Sequence, residues 1–239
     1  MDTLTNEEHT GEIDWKRVRI LLIVGIVSAV ISLAGNMILG WGRMNSYAAG
    51  LELMFNKYRG ISTGRIVLSS VLGLAGMTGS GICCFAVYRL IAPGSSSQAS
   101  AYKAGIFGII ALGGAGVHLP YCAAVYVYNH MYEIEAETAL WEALQYAVYF
   151  MLPAFGLFLV FYGILICVQA WAFWKESTPY PKWCAVFTPF ISVFVLLIMK
   201  MLGGAPLFEA LADGWLSIGF IWTFAGLLAM SRKAESGNF

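Results

Sequence analysis

The sequence predicts an all-α polytopic transmembrane bundle of six spanning helices with both chain ends in the cytosol. Three observations carry that expectation. Of 239 residues, 59% are hydrophobic and only 12% charged, against about 25% charged in soluble domains. The mean hydropathy is +0.72. Charged residues are confined to short stretches between apolar runs, each long enough, at about 20 residues, to cross a bilayer. Fourteen basic and fourteen acidic residues cancel, so net charge gives no reason to expect a nucleic-acid partner.

Residues 1–17 read as a polar cytosolic tail. Lys16, Arg17 and Arg19 precede the first apolar run, an arrangement shared with signal peptides, and Ser32-Leu33-Ala34 is compatible with cleavage. The run continues through Leu39, which argues for an uncleaved first span from Val18 to Leu39. Ile66 to Ile91, Ala104 to Tyr128, Leu144 to Phe173, Trp183 to Leu202 and Trp215 to Met230 follow as spans two to six. One bundle therefore occupies 18–230, with 231–239 as a second cytosolic tail.

Lysine and arginine placement sets the orientation. With the N-terminus inside, Lys16, Arg17, Arg19, Arg89, Lys103, Lys175, Lys182, Arg232 and Lys233 face the cytosol. Arg43, Lys57, Arg59, Arg65 and Lys200 face outward. The connector YNHMYEIEAETALWEAL has no lysine or arginine and four glutamates, which suits an outer loop. Between the first two spans, Tyr47, Leu51, Met54, Phe55 and Tyr58 recur at helical spacing. They predict an interfacial helix near 46–59 whose basic residues meet lipid headgroups, or else a structured loop packed on the bundle. Glycines crowd span two (Gly73, Gly76, Gly79, Gly81) and span three (Gly105, Gly108, Gly113, Gly114, Gly116). Small residues permit the close approach that drives helix pairing in lipid, so these two spans are expected to be neighbours.

Chemistry centres on GGAGVHLPYC, where His118 sits about 15 Å below the outer end of span three. An ionisable group at that depth must face the bundle interior or water. Pro120 removes a backbone donor and displaces the carbonyl of Gly116, so a structural reading bonds the imidazole to a freed local carbonyl. A functional reading makes His118 a ligand contact or an acid–base group. Polar groups gather toward the outer ends of the spans: Asn36, Ser69, Ser70, Glu142, Gln145, Lys200 and Asp213. An outward-opening crevice would explain that bias, with His118, Asn36, Tyr121, Gln145, Tyr146 and Trp215 as ligand-binding candidates. Lys200, Glu142 and Asp213 also fit side chains that snorkel to the interface. Tyr126, Tyr128, Tyr149 and Trp222 fit an interfacial aromatic belt, and Pro153 and Pro189 mark helix kinks or starts.

No cofactor and no metal is expected. The five cysteines lack metal-ligand spacing, three histidines cannot build a multi-histidine iron site, and neither HExxH nor a phosphate-binding GxxxxGK[ST] occurs. Expected partners are membrane lipids and a small hydrophobic ligand.

The stretch Tyr58 to Val125, with ISTGRIVLSSVLGLAG, the VYRLIAP helix exit and His118, resembles an uncharacterised bacterial family of six-helix integral membrane proteins. PLFEALADGWLSIGF resembles that family's last connector and helix. The resemblance implies the six-helix topology and assigns no activity.

Three functions stay open. The first is binding or movement of a lipid or small hydrophobic ligand, with His118 and Asn36 as polar anchors. The second is an intramembrane lipid isomerase or hydrolase, with His118 and Glu142 as catalytic candidates. The third is a structural subunit of a membrane complex. A carboxylate beside His118 at a cavity favours the enzyme; an apolar pocket with no second titratable group favours binding.

Overall fold

The computed structural model describes residues 12–42, 55–203 and 205–238. Helix α1 spans Trp15–Gly40, and Asp14 opens it by accepting the Arg17 amide at 2.9 Å. Its buried residues, Val18, Leu22, Gly25, Ala29, Ser32, Gly35 and Leu39, form one stripe at three- and four-residue spacing. Ile20, Ile23, Val24 and Val27 stay exposed. A helix apolar all round but buried along one stripe is what lipid on its other faces requires.

After a 3-10 turn at Asn56–Tyr58, α2 runs Thr63–Cys83 and continues past Cys84 as α3, Phe85–Ile91. Next come α4 (Ser96–Gly108), a π-helical segment (Ile109–His118) and α5 (Leu119–Ile134). These join into one 39-residue helix. The return limb is equally long: α6 (Ala136–Tyr146), a π segment (Ala147–Met151) and α7 (Leu152–Trp174). A 3-10 segment (Lys182–Phe187) leads to α8 (Ile191–Met201), α9 (Pro206–Asp213) and α10 (Trp215–Ser236). No strand occurs among the described residues. Five helices are long and apolar enough to cross a membrane.

The two π segments have a common cause. Proline lacks an amide hydrogen and crowds the carbonyl four residues back. Ahead of Pro120 and of Pro153 the ladder shifts to five-residue bonds, Leu119 N–H to Gly114 O and Leu152 N–H to Ala147 O. Each shift widens the helix beside the cavity described below, and π-bulges favour functional sites.

Three expectations need correction. The third-to-fourth connector is helical rather than a loop, broken only by extended Glu135 (φ −151°, ψ 98°). Its four glutamates are exposed. At 1.5 Å per residue, each 39-residue limb is about 58 Å long against a hydrocarbon core of about 30 Å. The two limbs meet at Glu135, and near that junction they build a second apolar core around Phe55, Tyr58, Val125, Tyr128, Ala139 and Ala143.

The fifth segment is not one continuous helix. Its backbone breaks at Thr188–Phe190, leaving α8 only 11 residues long. Irregular backbone packed among apolar helices needs protein partners for its polar groups. Here Trp222 donates to Val186 O at 2.8 Å, Gln169 to Phe187 O at 2.9 Å and Tyr162 to Pro189 O at 3.1 Å. Gly219 and Gly226 in α10 leave the room, since a Cβ at either would overlap Ser192 or Phe187.

The expected interfacial helix lies mostly outside the described residues. Its described end, Phe55 to Tyr58, is buried at Phe55, Lys57 and Tyr58, so Lys57 does not meet headgroups.

Helices α1 and α10 are antiparallel. Arg19 pairs with Glu235 at 2.6 Å at one end, while Asn36 reaches Ser217 at 3.4 Å toward the other. Tyr180, just before the 3-10 segment, packs on Trp15 near the first end, and Lys200, near the close of α8, binds Glu209 near the second. The glycines of α2 meet both neighbours. A Cβ at Gly76 would strike Ser32 of α1; one at Gly81 would press on Ile110 of the π segment.

Candidate functional site: a cavity beneath a buried ion-pair cluster

A cavity of about 230 Å³ lies among α1, α2, the two π segments, the starts of α5 and α7, and α8 to α10. Met77, Val117, Met151, Phe155, Leu196 and Leu216 make its wall largely apolar. His118, Asn36, Tyr121, Trp215 and Asp213 supply the polar atoms. Four of the six sequence-predicted ligand contacts thus share one space. Gln145 and Tyr146 are not among its lining residues; the Tyr146 ring instead packs on Phe150 at 5.0 Å between centroids. Glu142, the expected partner of His118, is exposed on α6. The carboxylate at the cavity is Asp213.

His118 is 6% exposed, and its hydrogen-bond contacts with described residues all use Nε2. Nε2 lies 3.0 Å from the carbonyl oxygen of Ser69, 3.4 Å from Ser69 Oγ and 3.5 Å from Cys122 Sγ. The carbonyl that receives the imidazole thus belongs to α2, not to Gly116 of its own helix. Gly73 makes this possible, because a Cβ there would overlap the ring. The Ser69 hydroxyl donates to Gly35 O at 2.8 Å and ties α1 to the same junction. Asn36 is fixed by its amide hydrogens, which go to Ser32 O at 3.0 Å and Ser217 Oγ at 3.4 Å.

Above the cavity sits a cluster that sequence reasoning did not assemble. Lys57 Nζ contacts Asp213 Oδ1 at 2.7 Å, Asp213 Oδ2 at 2.8 Å and Glu209 Oε2 at 3.1 Å. Lys200 binds Glu209 at 2.7 Å from the outside. Side-chain exposure is 5% for Lys57, 3% for Glu209, 14% for Asp213 and 47% for Lys200. Asp213 is therefore a network member rather than a snorkelling side chain, and half-exposed Lys200 reaches the network from the surface. Two cations and two anions balance, as buried charges must.

The Tyr58 hydroxyl donates to Asp213 Oδ2 at 2.7 Å, and Tyr121 hydrogen-bonds Tyr58. Burial, then the Asp213 charge, raises the Tyr58 phenol well above its ordinary value, so it stays a donor. Burial pushes the Glu209 carboxyl upward, but the Lys200 hydrogen bond and the Lys57 charge outweigh it and leave the group below its ordinary value. One sequence signal pointed here: Glu209 and Asp213 are four residues apart in an otherwise apolar connector, so one helical face carries both. Their partner Lys57 is 152 residues from Glu209 and gave no local sign.

Among the described residues no group of three or more His, Cys, Asp or Glu side chains is placed to hold a metal ion. What the site offers is an apolar space with a few convergent polar atoms, the usual form of a small-molecule pocket.

Fold and site together define an all-helical membrane protein with a cavity inside its bundle. Residues 1–234 match the family of unknown function DUF6796, and the chain belongs to that family. No curated protein and no solved structure matches it.

Proposed function

We propose that this protein binds or moves a lipid or small hydrophobic molecule in an outward-opening intramembrane pocket of the cell membrane. The observation that carries the reading is the cavity itself, apolar over most of its wall and bearing His118, Asn36 and Tyr121 on three elements. The bundle crosses six times, N-in and C-in. The antiparallel pairing of α1 and α10 supports an even number of crossings, and the side-chain partners of the 186, 187 and 189 carbonyls support passage of the fifth, irregular segment through the bilayer. A cysteine at Glu135 is then labelled by a membrane-impermeant maleimide on intact cells, and cytosolic-side labelling alone would reverse the topology.

Gentle purification followed by lipid and metabolite extraction and mass spectrometry tests the binding role. A specific species recovered from wild type and depleted in His118→Ala supports it. Equal recovery from both proteins, or none from either, counts against it.

A lipid-modifying enzyme is the second reading, favoured by one feature: Asp213 and His118 border the same cavity. It is weakened by the commitment of both Asp213 oxygens to Lys57. Chemical conversion of the extracted species by wild type, lost in Asp213→Asn with binding retained, would establish it.

A further inference from the structure

The hydrogen bonds around the cavity specify the chemistry of its occupant, granted the pocket reading above. We infer that the occupant is an uncharged molecule with an apolar chain and a hydroxyl end, not a carboxylate, phosphate or amine.

Apart from Trp215, each polar group on the wall has its donors already used within the protein. A carbonyl oxygen only accepts, so His118 Nε2, at 3.0 Å from Ser69 O, carries the proton. Ser69 Oγ gives its own hydrogen to Gly35 O and is likewise an acceptor toward the ring. The neutral imidazole, the less costly form inside a bilayer, therefore has its lone pair on Nδ1. Among the described residues nothing engages that atom. Asn36 spends one amide hydrogen on Ser32 O and the other on Ser217 Oγ, which leaves Oδ1 as its free atom. Tyr58 gives its single hydroxyl hydrogen to Asp213, so the hydrogen in the Tyr58–Tyr121 contact comes from Tyr121, whose oxygen keeps only lone pairs. Asp213 is an acceptor at both oxygens.

The wall thus shows acceptors from His118, Asn36, Tyr121 and Asp213. The Trp215 indole N–H is the one side-chain donor on it that no described residue takes up. An anionic head would set negative oxygens against those acceptors with a single donor to answer them. Lys57 does not help, since its ammonium is spent on Asp213 and Glu209. A cationic head finds no uncompensated charge either, because Lys57 and Lys200 balance Glu209 and Asp213. An ammonium would lose its water without an ion partner in exchange. A hydroxyl fits: it donates to one acceptor, accepts from Trp215, and costs little to dehydrate.

The test uses the full-length protein in nanodiscs with three probes of equal chain length: 1-decanol, decylamine and decanoate. Intrinsic tryptophan fluorescence, with Trp215 at the wall, reads binding, and native mass spectrometry counts bound molecules. The alcohol is expected to bind at least about tenfold tighter than either charged probe, the ratio set by leaving buried polar groups unmatched. In Asn36→Leu, which keeps His118 and the ion pairs, the alcohol's advantage shrinks. Equal or tighter binding of decanoate or decylamine to wild type overturns the inference while leaving the pocket intact. Binding of none of the three removes the pocket reading and this inference with it.

Discussion

Lys57→Met would break the cluster above the cavity at its centre while keeping side-chain length. The lysine ammonium holds three carboxylate oxygens, at 2.7, 2.8 and 3.1 Å. Taking one partner from a buried ion pair costs about 3–5 kcal/mol, because the other charge stays buried and unmatched. The structure says where that cost falls. Glu209 keeps Lys200 at 2.7 Å, whereas Asp213 keeps only the Tyr58 hydroxyl among the donors that face it. Most of the penalty therefore sits on Asp213. We expect Lys57→Met to lose about 3 kcal/mol, a factor of roughly 150 in the folding equilibrium.

The partition is tested by two double variants. Lys57→Met with Asp213→Asn removes the orphaned charge and should recover at least about half of the loss. Lys57→Met with Glu209→Gln should recover nothing, since it leaves Asp213 alone and strips Lys200 of its partner. Reversible unfolding in mixed micelles, followed by tryptophan fluorescence and far-UV circular dichroism, gives the four free energies of each cycle. A Lys57→Met loss below about 1 kcal/mol, the range of surface pairs, would refute the buried network. Better rescue by Glu209→Gln than by Asp213→Asn would refute the partition.

Three further outcomes follow from the same geometry. Glu209 titrates below its ordinary value of 4.5, so its share of stability is complete above that pH and disappears as pH falls through the lower folded value; acid unfolding should show this limb, and Glu209→Gln should flatten it. Gly73→Ala forces a methyl group into the His118 ring, so a loss of about 1–3 kcal/mol is expected, along with a shifted imidazole resonance by NMR; an unchanged spectrum would mean the ring does not lie against α2. Gln169→Leu leaves the Phe187 carbonyl without its donor and should cost about 1–3 kcal/mol, with faster hydrogen exchange confined to residues 186–190; uniform exchange would contradict the capping of that break.

Most of the helical architecture was legible because the bilayer writes it into composition. The five long apolar helices appear in the sequence as apolar runs, and the structure extends them at ends that carried no apolar signal, as at Ser96 and Ala136. The fifth segment misled for the opposite reason. Its residues are apolar enough for a helix, yet the backbone breaks because Tyr162, Gln169 and Trp222, on two other helices, offer its carbonyls better partners. The site divides in the same way. His118, Asn36, Tyr121 and Trp215 could be nominated singly, since a polar or aromatic group inside an apolar run must be accounted for wherever it lies. Pairings could not be, because each depends on which helices meet: the His118 carbonyl comes from Ser69 across a gap that Gly73 keeps open, and Asp213 finds its counter-charge 156 residues away. Glu142 failed as a partner on the same logic, for its helix turns it to the exposed surface and away from the cavity. Burial of a charge demands a partner but does not say which one. For a bundle like this, the side chains that must be paired are a property of the sequence, and the choice of partner is a property of helix packing.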